Sequence, residues 1–263
     1  MTGQRLLARR DLLKLSAAGL LAGCGGSTGG ALVTPSFAVG GLERDPGAGP
    51  LGFASGRGWQ ITLEAAAMTL GPIYFNIGAP NGEAFRGPLV IVQVTHQVVV
   101  DLLDPVLHPV PGGADGQSGR AVVAEIGLLP PDASSSDADR ARFGQAFGLI
   151  AGRASKAGVE IPFAGVLAID RSLATPQTPL AALQRVRSAA VDLEFTAAPQ
   201  QLTMRVDPRL WFESVEFDQL LAGAPDADGR YGWPLRGSFM TLLLQGVKAE
   251  EAVYRFALAP APL

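Results

Sequence analysis

Between residues 89 and 103 every second side chain suits a buried sheet face: Val90, Val92, Val94, His96, Val98, Val100 and Leu102 share one parity. A period of two in β-branched residues marks a strand, not a helix, and a chain carrying such a run must supply partners for it. Trp59-Gln60-Ile61-Thr62-Leu63 alternates in the same way, 68–75 is a second apolar segment bent at Gly71-Pro72, and 121–129 is a third, stopped by Pro130-Pro131. Leu32, Val33, Phe37 and Val39 are the only strand material in the Gly- and Pro-rich stretch 31–58. Ser136 followed by Asp139 reads as a capping box opening a short helix. A hairpin comes next, with a strand through Phe147, Leu149 and Ile150, a turn at Lys156-Ala157-Gly158 and a return over 159–169. Residues 186–195 and 202–206 are two further strands at hairpin distance, the latter broken by Asp207-Pro208; 217–222 and 239–247 read as short helices and 252–258 as a closing strand. The expected fold is mainly β, an antiparallel β-sandwich with two or three short helices, formed as one domain over 37–263.

The N-terminus has a different logic. Arg5, Arg9, Arg10 and Lys14 precede a short apolar run over 15–22 that stops at Gly23 and Cys24. This is the order of an export signal, and the run falls far short of the roughly 20 apolar residues a membrane-spanning helix needs. Leu21-Ala22-Gly23-Cys24 matches the bacterial lipobox, which implies cleavage before Cys24 and acylation of its sulfur. Ala8-Arg9-Arg10-Asp11-Leu12-Leu13-Lys14 resembles the twin-arginine export consensus, departing from it at Ala8 and Leu12. Residues 1–23 are thus expected to be a signal peptide and 24–36 a lipid-anchored flexible tether, which Gly25-Gly26-Ser27-Thr28-Gly29-Gly30 suits by composition. Gly25 after the lipidated Cys, where Asp would imply inner-membrane retention, favours the outer membrane, with the domain facing the periplasm or the cell surface.

Loss of residues 1–23 removes four basic residues and one acidic residue, taking the formal charge from −3 to about −6. An acidic domain offers no electrostatic footprint for nucleic acid. Cys24 is the sole cysteine, so the mature domain has no disulfide and no thiolate ligand, and its stability must come from packing. A metal site would have to be built from His96 and His108, the only two histidines, with a carboxylate such as Asp101 or Asp104; imidazole and carboxylate suit copper or zinc. Against that stands the parity of His96, which reads as a core or sheet-edge histidine. Two acidic loops, Asp132 with Asp137 and Asp139, and Asp226-Ala227-Asp228-Gly229, lack the EF-hand pattern and read as helix-start and turn chemistry. No nucleophile elbow, phosphate loop, dinucleotide fingerprint or zinc-protease pattern occurs, so no enzyme is expected. The late aromatics Trp211, Phe212, Phe217, Tyr231, Trp233 and Phe239 are either a ligand platform or the cap of one open end of the sandwich, and the cap is the simpler reading.

The order of Trp59-Gln60-Ile61-Thr62-Leu63, Gly71-Pro72-Ile73-Tyr74-Phe75, Val100-Asp101-Leu102-Leu103, Ile161-Pro162-Phe163 and the segment 202–212 resembles secreted β-sandwich lipoproteins of bacteria. More distantly it is similar to the periplasmic methanobactin-associated family, a resemblance that implies copper handling through histidine or modified tryptophan. This chain offers His96, His108 and three Trp for that purpose, and no ligand set is carried over residue by residue. The expected function is that of a lipid-anchored, non-catalytic envelope protein, held to the bilayer through acylated Cys24, that binds an envelope protein or a small ligand without a cofactor. The alternative is a periplasmic copper- or zinc-binding protein using His96, His108 and Asp101.

Overall fold

The computed structural model describes residues 30–45, 47–78, 89–249 and 252–261. Contacts divide the chain into 1–31 and 32–263, and the second unit is the one described below. Arg9, Arg10, the lipobox and Cys24 lie outside the described residues.

Three sheets, with strands numbered in chain order, form the domain. The first runs β1 (Leu32–Val33), β9 (Asp115–Gln117), β6 (Val90–Val94), β5 (Ile73–Asn76), β10 (Gly119–Gly127), β13 (Arg185–Phe195). In the second, β12 (Val159–Leu167), β11 (Gly148–Lys156), β4 (Gln60–Leu70) and β3 (Leu51–Ala54) follow one another, and β7 (Val98–Asp101) also pairs β4. The third is β15 (Tyr254–Pro260), β14 (Gln200–Val206), β2 (Ser36–Gly40), β8 (His108–Val110). Short helices α1 (Asp137–Phe143), α2 (Leu180–Leu183) and α3 (Ser238–Val247) and three 3-10 turns complete the described residues. This is the expected mainly β sandwich. Between named strands every pairing is antiparallel except that of β2 with β14. Leu32–Val33, read from the sequence as tether, is already paired with β9.

The alternating run 89–103 is two strands in two sheets. β6 pairs β5, β7 pairs β4, and the chain turns between them at 95–97. The step from β4 to β5 at Gly71-Pro72 makes the same change of sheet. The two crossings touch: Gly71 has φ +115°, and a Cβ there would come 2.6 Å from the His96 carbonyl oxygen, so only glycine fits. His96 is therefore exposed in the bend and does not continue the buried face of Val92 and Val94. The even-numbered parity continues through both strands, with Val92, Val94, Val100 and Leu102 buried, but the sheet changes between them and His96 sits exposed at the change. Strands 186–195 and 202–206 likewise do not form a hairpin: β13 ends the first sheet and β14 lies in the third.

Other local readings hold. Ser136 Oγ caps the helix by accepting from Asp139 N at 3.0 Å, and it donates to the Asp139 carboxylate at 2.6 Å, so Asp139 reaches back to the Ser136 hydroxyl and not to its backbone N–H. Ala157 and Gly158, with φ +52° and +81°, give the β11–β12 hairpin the left-handed pair of a two-residue turn. One hydrophobic core is shared by all three sheets. Phe75 meets Phe195 edge-on at 5.6 Å and Phe256 of the third sheet at 5.3 Å.

Tyr254 ties β15 to α3: its buried hydroxyl donates to the Val247 carbonyl at 2.8 Å, and burial pushes the phenol well above its ordinary value. The fold thus holds this proton more tightly than the unfolded chain, so stability is complete below the ordinary tyrosine pKa of about 10 and is lost as pH rises past it. Tyr254→Phe is expected to cost about 1 kcal/mol near neutrality through the lost hydrogen bond and to reduce the alkaline loss. Denaturant midpoints of both proteins near neutrality and above pH ~10 check this; an unchanged alkaline slope in the variant would refute it.

Candidate functional site

β14 and β15 pair in the register Met204↔Phe256, Arg205↔Arg255, Val206↔Tyr254. Met204, Val206 and Tyr254 are buried, so Arg205 and Arg255 stand directly opposite each other on the outer face of the third sheet. Like charges in that position repel, and what surrounds them decides how the pair persists.

Arg205 is clamped by backbone: its Nη1 donates to the Gly41 carbonyl at 3.1 Å and the Pro105 carbonyl at 2.7 Å. Both acceptors come from loops that lie close together, the one after β2 and the one between β7 and β8. Gly41 N donates to the Asp104 carbonyl at 2.9 Å, and Arg44 reaches the Leu103 carbonyl. A Cβ at Gly40 or Gly41 would collide with the backbone of Val106 or Leu102, so the close approach requires both glycines.

Arg255 is less constrained, 58% exposed in its side chain, with Nη2 3.8 Å from Asp207 Oδ2. Asp207 is buried and already engaged. Arg209 donates to it from Nε at 2.9 Å, from Nη2 at 2.7 Å and from its backbone N at 3.1 Å. The fork bond raises the already high Arg209 pKa, so its guanidinium stays charged beside Asp207. With Asp207 satisfied by Arg209, Glu43 is the only other carboxylate among the described residues that line the groove Arg205 and Arg255 face. The groove has a volume of about 530 Å³ and a floor that includes Thr203 and Ala257. Such a surface suits an oxyanion able to reach both guanidinium groups.

Of the residues proposed from sequence for metal, His108 and Asp104 meet, while His96 and Asp101 make other contacts. His96 packs its ring against Gly112, where a Cβ would come 2.8 Å from it. His108, on edge strand β8, places Nε2 2.7 Å from Asp104 Oδ2, and both are substantially exposed. The Val106 N–H, then His108, holds the Asp104 carboxyl below its ordinary value. Asp101 accepts from Leu103 N at 2.9 Å in a local turn. Among the described residues no group of three or more His, Cys, Asp or Glu is placed to hold a metal ion.

The acidic loops are turn chemistry. Asp132 accepts from Ser134, Asp137 pairs Arg140, and Asp226 accepts from Asp228 N and Arg230 N. The late aromatics form a cap: Phe217 packs on Trp59, Phe163, Phe212 and Phe239, and Trp233 lies over Gly165 and donates to the Val166 carbonyl at 3.0 Å. Tyr231 adds an isolated bridge to β12, which covers part of that sheet edge. Arg205, Arg255 and Asp207 were not singled out as a site by sequence, since their meeting depends on a register between segments some fifty residues apart.

No protein-family model and no curated protein sequence matches the chain. Among solved structures it is similar to MbnP from Methylosinus trichosporium, with 10% identity, a TM-score of 0.40, and coverage of 87% of this chain and 98% of that one. At that level the likeness transfers no residue and no activity. Among the described residues no helix is long and apolar enough to cross a membrane.

Proposed function

We propose that the chain is a lipid-anchored protein of the cell envelope, attached at the outer membrane through acylated Cys24, whose non-catalytic β-sandwich binds a small anionic ligand in the Arg205–Arg255 groove. The observation that carries this reading is the pair of facing arginines. Two cations opposed across a ladder cost stability, and the buried carboxylate beside them is taken up by Arg209. An oxyanion of carboxylate or phosphate type would relieve the repulsion and accept from both groups. The net acidity of the mature chain makes this local excess of cations selective for small anions that enter the groove over large polyanions.

Calorimetric titration of the exported protein with inorganic phosphate, sulfate and succinate at low salt tests it. One of the three is expected to bind at one per chain, and Arg255→Gln is expected to weaken it about tenfold or more, the loss of a charge-assisted hydrogen bond. Equal, weak heats for all three anions in both proteins would refute the groove reading. The transition-metal alternative has the His108–Asp104 pair in its favour; copper or zinc at one per chain in the same exported protein, lost in His108→Ala, would replace anion binding as the leading reading.

A further inference from the structure

We infer that the corner of the first sheet where the chain enters the domain rests on the bilayer that holds the anchor; this builds on the lipoprotein reading of Cys24. Ten large apolar side chains are exposed among the described residues, and four gather here: Leu32 at 83%, Leu89 at 64%, Ile77 at 49% and Val90 at 41%. The register puts them at one end of the sheet, across β1, β6 and the end of β5, with β9 between β1 and β6. Val33, Gly116, Val92 and Phe75 form one row across β1, β9, β6 and β5, with the three large side chains buried. Leu32, Gln117 and Ile91 therefore lie on the outer face of the adjoining row. A bulge sets both Val90 and Ile91 against Asn76, and Ile77 N donates to the Leu89 carbonyl at 3.3 Å, which brings Leu89 beside Ile77.

The rest of that face is different. On the other side of the buried row, Asp115, Gln93, Tyr74 and Glu125 stand in register across four strands. Gln93 donates to Asp115 at 3.2 Å and Arg185 to Glu125 at 3.2 Å. One end of the sheet, beside the incoming chain, thus carries Leu32, Leu89, Ile77 and Val90 with Gln117 among them, and the polar band lies away from it. An apolar cluster bordered by polar groups marks a contact surface, and the tether says with what. Seven residues separate Cys24 from Leu32. Fully extended they reach at most about 28 Å. Acyl chains on Cys24 would hold Leu32 within about a domain radius of the lipid, so an apolar surface at that point meets the interface before any other. The occupant is the lipid surface itself, with Leu32 and Leu89 entering its outer layer as the apolar side chains of interfacial proteins do.

The sole cysteine simplifies the experiment, because once Cys24 is acylated a cysteine placed elsewhere is the only free thiol. The acylated protein is reconstituted into phosphatidylethanolamine–phosphatidylglycerol vesicles with a spin label at Leu32→Cys, Leu89→Cys or, as reference, Val159→Cys. Val159 starts β12 at the hairpin tip, beside the end of the eleven-residue β4 remote from Gly71. Labels at 32 and 89 are expected to show an oxygen-to-nickel accessibility ratio several-fold above that at 159. Adding Leu89→Glu to Leu32→Cys should bring its ratio down toward the reference while the near-ultraviolet circular dichroism stays unchanged. Acylated protein with water-like ratios at 32 and 89 overturns the membrane-facing corner and leaves the lipoprotein reading standing. A mass showing Cys24 unacylated removes the lipoprotein reading, and this inference with it.

Discussion

Phe217→Ala is expected to destabilise the domain by about 3–5 kcal/mol, the range for removing a fully buried phenylalanine and leaving a cavity. Phe217 has no solvent exposure and is the hub of the aromatic cap, with ring centroids 4.9 Å from Phe163, 5.5 Å from Trp59 and Phe239, and 5.9 Å from Phe212. Those partners come from β12, the residue just before β4, α3 and the 3-10 turn Pro208–Phe212, so the space has rigid walls on all sides and cannot collapse cheaply. At this chain length the loss corresponds to a fall in Tm of about 10 °C. The change also separates two meanings of the cluster. A cap loses stability and leaves anion affinity at the Arg205–Arg255 groove unaltered in the folded fraction, whereas a ligand platform would lose affinity with a small change in Tm. A fall of only a degree or two would refute the cap.

That cap was legible in the sequence as a cluster of late aromatics, with a ligand platform and the cap of an open sandwich end as its two readings. Local features were legible too, because the physics that makes them is local: the Ser136–Asp139 box, the Lys156-Ala157-Gly158 turn and the break at Gly71-Pro72 each involve groups within a few residues. Pairing is not local. Residues 89–103 keep a single parity although their two halves belong to different sheets, since alternation reports that a face is buried and not which sheet buries it. His96 takes a core or sheet-edge reading from that continuity and is instead an exposed residue of the bend. The parallel pairing of β2 with β14 joins residues about 165 apart, and nothing in either segment announces the other. The groove inherits the same difficulty. Arg205 and Arg255 are ordinary outward residues of two strands until register sets them face to face, and Asp207, a strand-breaker by sequence, has its carboxylate buried against Arg209.

Arg209→Ala is expected to cost about 3 kcal/mol, the lower end of the range for breaking a buried ion pair from one side. The side chain removed is itself 40% exposed; the cost arises at the partner, since Asp207 is 2% exposed and would keep only a backbone N–H and the Arg255 guanidinium at 3.8 Å. Arg209→Lys should recover only part of the loss, because an ammonium cannot reproduce the two parallel bonds from Nε and Nη2. Asp207→Asn in the Arg209→Ala background should recover most of it by removing the stranded charge, although each single change is destabilising, and that non-additivity is the signature of a direct pair. The consequence reaches the groove. With Arg209 gone, Asp207 becomes the nearest anion for Arg255 and draws it away from the position opposite Arg205, so phosphate, sulfate or succinate affinity should fall in Arg209→Ala and return in the double variant. Thermal melts together with the same calorimetric titration measure both effects. A double variant whose losses simply add would show that Asp207 and Arg209 act separately, and would remove the argument that the Asp207 carboxylate is withheld from the groove.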